Sequence, residues 1–132
     1  MKKILLLLPL IFLSSCYDAA SKTVKGGSSR FKVYKTDNMY TLLLLDTRTG
    51  RLWQTAYTTN NKSFEGDIPI SSKYFAHDNG SNGRFILTKT DNMWTYIMTD
   101  TESGAQWHCQ FSIKNEMDRF CYKIVAPKIQ TN

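Results

Sequence analysis

"RFKVYKTDNMYTLLLLDTRTGRLW" (Arg30–Trp53) and "RFILTKTDNMWTYIMTDTESGAQW" (Arg84–Trp107) occur in one chain, 54 residues apart. Laid over each other without a gap, they share Arg, Phe, Lys, Thr, Asp, Asn, Met, Thr, Asp, Thr, Gly and Trp, half of the aligned positions. A duplicated sequence at fixed spacing implies a duplicated structural unit.

Each unit reads as strands. Phe31-Lys32-Val33-Tyr34-Lys35 alternates, which puts Phe31 and Val33 on one face and the basic residues on the other. Asp37-Asn38 and Asp91-Asn92 separate runs that can pair, and both residue types tolerate the positive φ that a two-residue hairpin turn requires. Leu42–Leu45 is apolar on both faces, as a central strand covered on each side would be, whereas "TYIMT" in the second unit is less so. Asp46-Thr47-Arg48-Thr49-Gly50 and Asp100-Thr101-Glu102-Ser103-Gly104 close the next hairpins. Their Asp side chains accept backbone hydrogen bonds, and their glycines supply a left-handed residue.

Strands with alternating Trp53, Thr55, Tyr57 and Trp107, Cys109, Phe111, Ile113 follow. Phe64–Ile70 and Arg119–Val125 close the units, with Pro69 marking an edge. The expected fold is all-β. It is a small antiparallel domain, sandwich- or barrel-like, of two sequence-related units (30–70 and 84–125) with three to four strands each. Trp53 should lie over Trp107 as packing residues, and Gly50 over Gly104, with equal cost for a Cβ at either glycine.

The N-terminus carries an address. Met1-Lys2-Lys3 is a basic n-region, and Ile4–Leu13 is an apolar run of ten residues broken only by Pro9. Ten helical residues reach about half of a roughly 30 Å hydrocarbon core, so the run suits a signal peptide rather than a span. Leu13-Ser14-Ser15-Cys16 resembles the bacterial lipobox. That resemblance implies cleavage before Cys16, acylation of Cys16, anchoring in the cell envelope, and a membrane partner through the lipid. Tyr17, where an Asp would imply retention in the inner membrane, favours the outer membrane.

Residues 1–15 are then a lipoprotein signal peptide, 16–29 a flexible lipidated tether ending in Gly26-Gly27-Ser28-Ser29, and 30–132 the β domain. Losing Lys2 and Lys3 reduces the formal charge from +6 to +4. Lys and Arg are scattered, which speaks against nucleic acid as a partner.

D-T-x-[TS]-G-x-x-W, present in both units, resembles the hairpins in blades of quinoprotein-type β-propellers over about eight residues. A propeller needs at least four blades, so the resemblance extends to hairpin chemistry, and no cofactor follows from it.

No catalytic motif stands out: the chain has no G-x-S-x-G, H-E-x-x-H, C-x-x-C or phosphate-cradling loop. His77-Asp78 lies in a polar loop, "HDNGSNG". His108 and Cys109, adjacent on a strand, point to opposite faces and cannot form a dyad. The chain therefore reads as non-enzymatic. In an oxidising envelope, Cys109 and Cys121 are expected to pair, because a hairpin centred on Asn115 sets them opposite each other. Aromatics make up 13% of the chain. Tyr34, Tyr40, Trp94 and Tyr96 are candidates for a surface that engages an envelope protein or glycan. A binding or structural lipoprotein is the leading reading. The alternative is an inhibitor or exclusion lipoprotein, of the lysozyme-inhibitor or superinfection-blocking kind. A positive mature charge would repel a basic lysozyme.

Overall fold

A computed structural model describes residues 28–60 and 65–125. The lipobox, Cys16, Gly26 and Gly27 lie outside the described residues, as does Phe64. Eight strands form: β1 (Phe31–Lys35), β2 (Thr41–Asp46), β3 (Leu52–Ala56), β4 (Gly66–Ser71), β5 (Phe85–Lys89), β6 (Thr95–Asp100), β7 (Gln106–Gln110) and β8 (Phe120–Lys123), with one 3₁₀ turn at Glu116–Asp118. They make two four-stranded antiparallel sheets, ordered β1-β2-β3-β4 and β5-β6-β7-β8. The all-β fold of two related units is as the sequence implies. The fourth strands start later than expected, and β4, which carries Pro69, is an edge strand.

The 54-residue offset continues beyond the matching letters. Trp53 pairs with Pro69 and Thr55 with Asp67 in the first sheet, while Trp107 pairs with Lys123 and Cys109 with Cys121 in the second. Sequence identity has been lost in β4 and β8, yet their registers still repeat.

The matched residues are those that hold the turns. In the first, Thr36 Oγ1 lies 2.7 Å from Thr41 O and Asn38 Oδ1 accepts the Tyr40 amide at 2.9 Å. In the second, Thr90 Oγ1 lies 3.0 Å from Thr95 O and Asn92 Oδ1 accepts the Trp94 amide at 3.0 Å. These connections are not the two-residue turns expected. They run over Thr36–Tyr40 and its counterpart, and among the described residues no non-glycine has positive φ. The side chains of Thr and Asn supply the bonds that a tight turn would have made through its backbone.

The second matched device is an ion pair over a glycine turn. Arg30 Nη2 lies 3.0 Å from Asp46 Oδ2, and Arg84 Nη2 lies 2.8 Å from Asp100 Oδ2. Each buried Asp also accepts an amide two residues on, from Arg48 at 3.1 Å and Glu102 at 3.0 Å. Arg84 above all holds the Asp100 carboxyl far below the usual carboxylate range, against the opposing effect of burial. At Asp46 burial is the largest influence and pushes upward, but Arg30 and the Arg48 amide together leave it lowered. Gly50 and Gly104 close the turns with φ of 79° and 74°, the left-handed values expected.

The way the sheets pack is not what alternation in a single unit suggests. Apart from Thr41 and Asp46, which hold the turns, the buried residues of the first sheet are Leu43, Leu45, Leu52, Gln54 and Ile70, with Tyr34 packed against them. In the second, apart from the equivalent Thr95 and Asp100, they are Phe85, Leu87, Tyr96, Met98, Trp107 and Cys109. Moved by 54, the second set falls on Phe31, Val33, Leu42, Leu44, Trp53 and Thr55, all on the opposite face of the first sheet. The units therefore stack face to back: one face of the first meets the other face of the second. β2 lies over β5 and β4 near β8, so strand order runs the same way in both.

Polar side chains pin this stack. The Leu87 amide donates to Tyr34 Oη at 3.2 Å, Tyr96 Oη donates to Lys35 O at 2.9 Å, and the Ser112 amide donates to the buried Gln54 Oε1 at 3.2 Å. Phe75, from the connecting segment, packs between Phe85 and Trp107 with ring centroids 6.4 and 4.8 Å away.

Candidate functional site

Face-to-back stacking leaves two free faces, and they differ. The free face of the first sheet follows from the ladder. One cross-strand row is Val33, Leu44, Trp53 and Pro69, and the next is Lys35, Leu42, Thr55 and Asp67. Phe31 sits beside the first row. Phe31 is 50% and Val33 58% exposed, while Leu42, Leu44 and Trp53 are half-buried with no described element packed over them.

Three expectations change here. Phe31 and Val33 do share a face, but it is the outer one, and Lys35 lies on it with them while only Lys32 points the other way. Leu42 and Leu44 are not covered, since only Leu43 and Leu45 reach the core. Trp53 is not the core residue that Trp107 is. The cause is the same each time: a stack repeated in one direction buries alternate parities in successive units.

The free face of the second sheet carries Thr88, Ile97, His108 and Tyr122 in one row and Ile86, Thr99 and Gln106 in another. In the first unit the corresponding buried positions hold Tyr34, Leu43, Leu45, Leu52 and Gln54. Thr88, Thr99 and Gln106 thus stand in place of Tyr34, Leu45 and Leu52, which suits a sheet face turned to water. The opposite face has had no such replacement. A contiguous exposed apolar patch rimmed by polar residues marks an interaction surface.

Arg51 flanks this patch. Its guanidinium lies 4.7 Å from the Trp53 ring centroid and 4.9 Å from that of Tyr74, and it donates to Tyr74 Oη at 3.0 Å. A cation held over the ring is attracted by the negative face of the indole.

The four aromatics named from sequence separate. Tyr34 and Tyr96 are packing residues, for their hydroxyls make the inter-sheet bonds above. Trp94 packs on Phe111 at 5.2 Å, and only Tyr40, 45% exposed and edge-on to Tyr57 at 6.2 Å, keeps a free surface. The Tyr40–Tyr57 and Trp94–Phe111 pairs are equivalent at the 54-residue offset. Each lines a shallow cleft where the connection between the first two strands of its unit meets the loop after the third.

Asp78, in the polar loop, pairs with Arg30 at 2.6 Å, and Arg48 reaches Asn82 Oδ1 at 3.0 Å, which ties this loop to the Asp46–Gly50 turn. Among the described residues no group of three or more His, Cys, Asp or Glu comes together. His108 lies on the free face, edge-on to Phe120 at 5.5 Å, and Cys109 faces inward. Cys109 and Cys121 sit opposite each other in the β7–β8 ladder with sulfurs at disulfide distance, 2.08 Å. The first unit has a Thr55 Oγ1 to Asp67 Oδ1 hydrogen bond of 2.6 Å at the same place.

No protein-family model, curated protein or solved structure matches the chain.

The sequence did hold one signal for the apolar face. "LLLL" in β2 against "YIMT" in β6 has more leucine than one buried face needs.

Proposed function

We propose that this chain is a lipid-anchored envelope lipoprotein whose β domain is a non-enzymatic binding module. Its contact surface is the free face of the first sheet. The observation that carries the reading is the row Val33, Leu44, Trp53 and Pro69, left uncovered on a face whose counterpart in the second unit is core. What supports the anchor is the order of n-region, apolar run and Leu13-Ser14-Ser15-Cys16 in the sequence. Several acyl chains on Cys16, at about 0.8 kcal/mol per buried CH₂, would hold the module at the membrane firmly. The segment up to residue 29 would give it a short reach, and the outer membrane is the favoured address.

Two variants test the two halves of the reading. Cys16→Ser should leave the protein soluble or as unprocessed precursor on membrane fractionation. Normal processing and membrane recovery of that variant would contradict the anchor. Val33→Glu should abolish cross-linking through the sheet face in intact cells while leaving the melting temperature unchanged. Unaltered cross-linking would contradict the choice of face.

A further inference from the structure

Resting on that choice of face, we infer that its occupant is a second copy of the same face, related by a two-fold axis parallel to the strands.

Two ways of covering the face with a second copy compete. Head-to-tail stacking would repeat the packing already present within the chain, setting the free face of the second sheet onto that of the first. It requires the second sheet to present what the first buries. The second sheet keeps an apolar residue at Ile97 but presents Thr88, Thr99 and Gln106 where the first has Tyr34, Leu45 and Leu52, so that surface is unsuited to continuing the stack. The apolar face is left to pair with itself, as the isologous interfaces of two-fold dimers do.

The ladder decides the orientation. A two-fold axis parallel to the strands, midway between two copies of the face, lays each row on the same row of the other copy, reversed end to end. Val33 then meets Pro69, and Leu44 meets Trp53. In the adjacent row Leu42 meets Thr55, and Lys35 meets Asp67. Lys35 and Asp67 are exposed, of opposite charge, and at the two ends of one row. The dimer therefore gains the same ion pair at each edge, around a centre of Leu44 and Trp53 with the Arg51 guanidinium of each copy over its own Trp53. An axis perpendicular to the strands through the Val33 row would instead set Lys35 against Phe31, and neither Lys35 nor Asp67 would gain an opposite charge. Two sheets aligned to within about 30° in this way pack at roughly 10 Å, as in a sandwich.

The size of the face sets the strength. Four strands about 4.8 Å apart and five residues of about 3.3 Å give a footprint of roughly 300 Å². Stable complexes bury about 800 Å² per partner. The dimer is accordingly reversible and depends on concentration, which confinement to a membrane surface would raise.

The test uses the full chain in its own cells, with a photoreactive benzophenone side chain at Val33 and, as a control, at Thr99 on the polar face. The Val33 probe should give a product of twice the chain's mass, and the Thr99 probe should give none. Lys35→Glu and Asp67→Lys should each cut the yield about tenfold, because each sets like charges together at both edges. The combined Lys35→Glu/Asp67→Lys chain should regain it, since the swap restores both pairs. A Val33 product containing a different protein, or a double variant that stays as low as the singles, would overturn the two-fold dimer while leaving the face a binding surface. No product from Val33 would overturn both.

Discussion

Phe31 and Phe85 occupy the same position of the same repeated unit, one pairing with Asp46 and the other with Asp100. Phe31 is 50% exposed and Phe85 fully buried. The same inversion separates Val33 from Leu87, Leu44 from Met98 and Trp53 from Trp107. Duplication repeats backbone bonds, turns and register, because these are local to the unit. Outside the turn-holding pairs Thr41/Thr95 and Asp46/Asp100, buried in both units, it does not repeat burial, because burial depends on which side the neighbour stands. A unit stacked in one direction needs both faces apolar in principle, and each end of the stack then has one face too many. The second unit has resolved this by substituting Thr and Gln at Thr88, Thr99 and Gln106. The first has not, and its excess is the candidate contact surface.

The largest effects that could break this comparison come from truncating equivalent pairs. Leu43→Ala and Met98→Ala should each cost about 2–5 kcal/mol, as buried Leu and Met do. Their 54-residue counterparts Ile97→Ala and Leu44→Ala should cost about 1 kcal/mol or less, measured by urea unfolding of dilute protein. Equal losses at Leu43 and Ile97 would mean that the units meet through the same face.

Next is the pair of positions occupied by Cys109–Cys121 in one unit and Thr55–Asp67 in the other. A Cys109→Ser/Cys121→Ser double variant should lose about 3 kcal/mol on the chain-entropy model for a loop of this length. Thr55→Val, which removes an exposed hydrogen bond, should lose about 1 kcal/mol or less. Denaturant titrations with and without reductant would read both.

The glycine turns sharpen the comparison further. A Cβ on either glycine meets the left-handed backbone penalty of about 1–2 kcal/mol. At Gly50 it would also lie 2.9 Å from Phe75 Cδ2 and 3.2 Å from Phe85 Cδ1, whereas at Gly104 nothing lies within 4 Å. The equal cost expected from sequence therefore fails. Gly50→Ala should exceed Gly104→Ala by about 1 kcal/mol from overpacking, because the first turn is covered by the connecting segment and the second is not.

Acid should separate the units more gently. Both Asp46 and Asp100 have depressed pKa values in the folded state. Their contribution is complete above the ordinary carboxylate pKa of about 3.9 and is lost as pH falls through the lower folded value. Asp100 is held further down, so Asp100→Asn should flatten the acid limb of a melting-temperature profile more than Asp46→Asn. The reverse order would place the stronger ion pair in the first unit.

Much of this was legible in the letters. The strand-and-turn order, the left-handed Gly50 and Gly104 and the opposition of Cys109 to Cys121 all follow from spacing within about 20 residues. The turn at Asp37-Asn38 was misread because Thr36 and Asn38 bond through their side chains, which a rule based on backbone preference overlooks. The placement of Tyr34, Trp53 and Tyr96 was not legible at all. Alternation says which residues share a face, and nothing local to a strand says which face will meet a neighbour.

The face-to-back stack is tested most directly by reading the two equivalent tryptophans without removing either from its own environment. Two single-tryptophan proteins, Trp94→Phe/Trp107→Phe and Trp53→Phe/Trp94→Phe, would be compared by iodide quenching in dilute solution. Trp107 should emit at shorter wavelength and resist the quencher, and Trp53 should emit further to the red and be quenched readily. Matching emission and matching quenching would show that both tryptophans face the same way, and would contradict the stack.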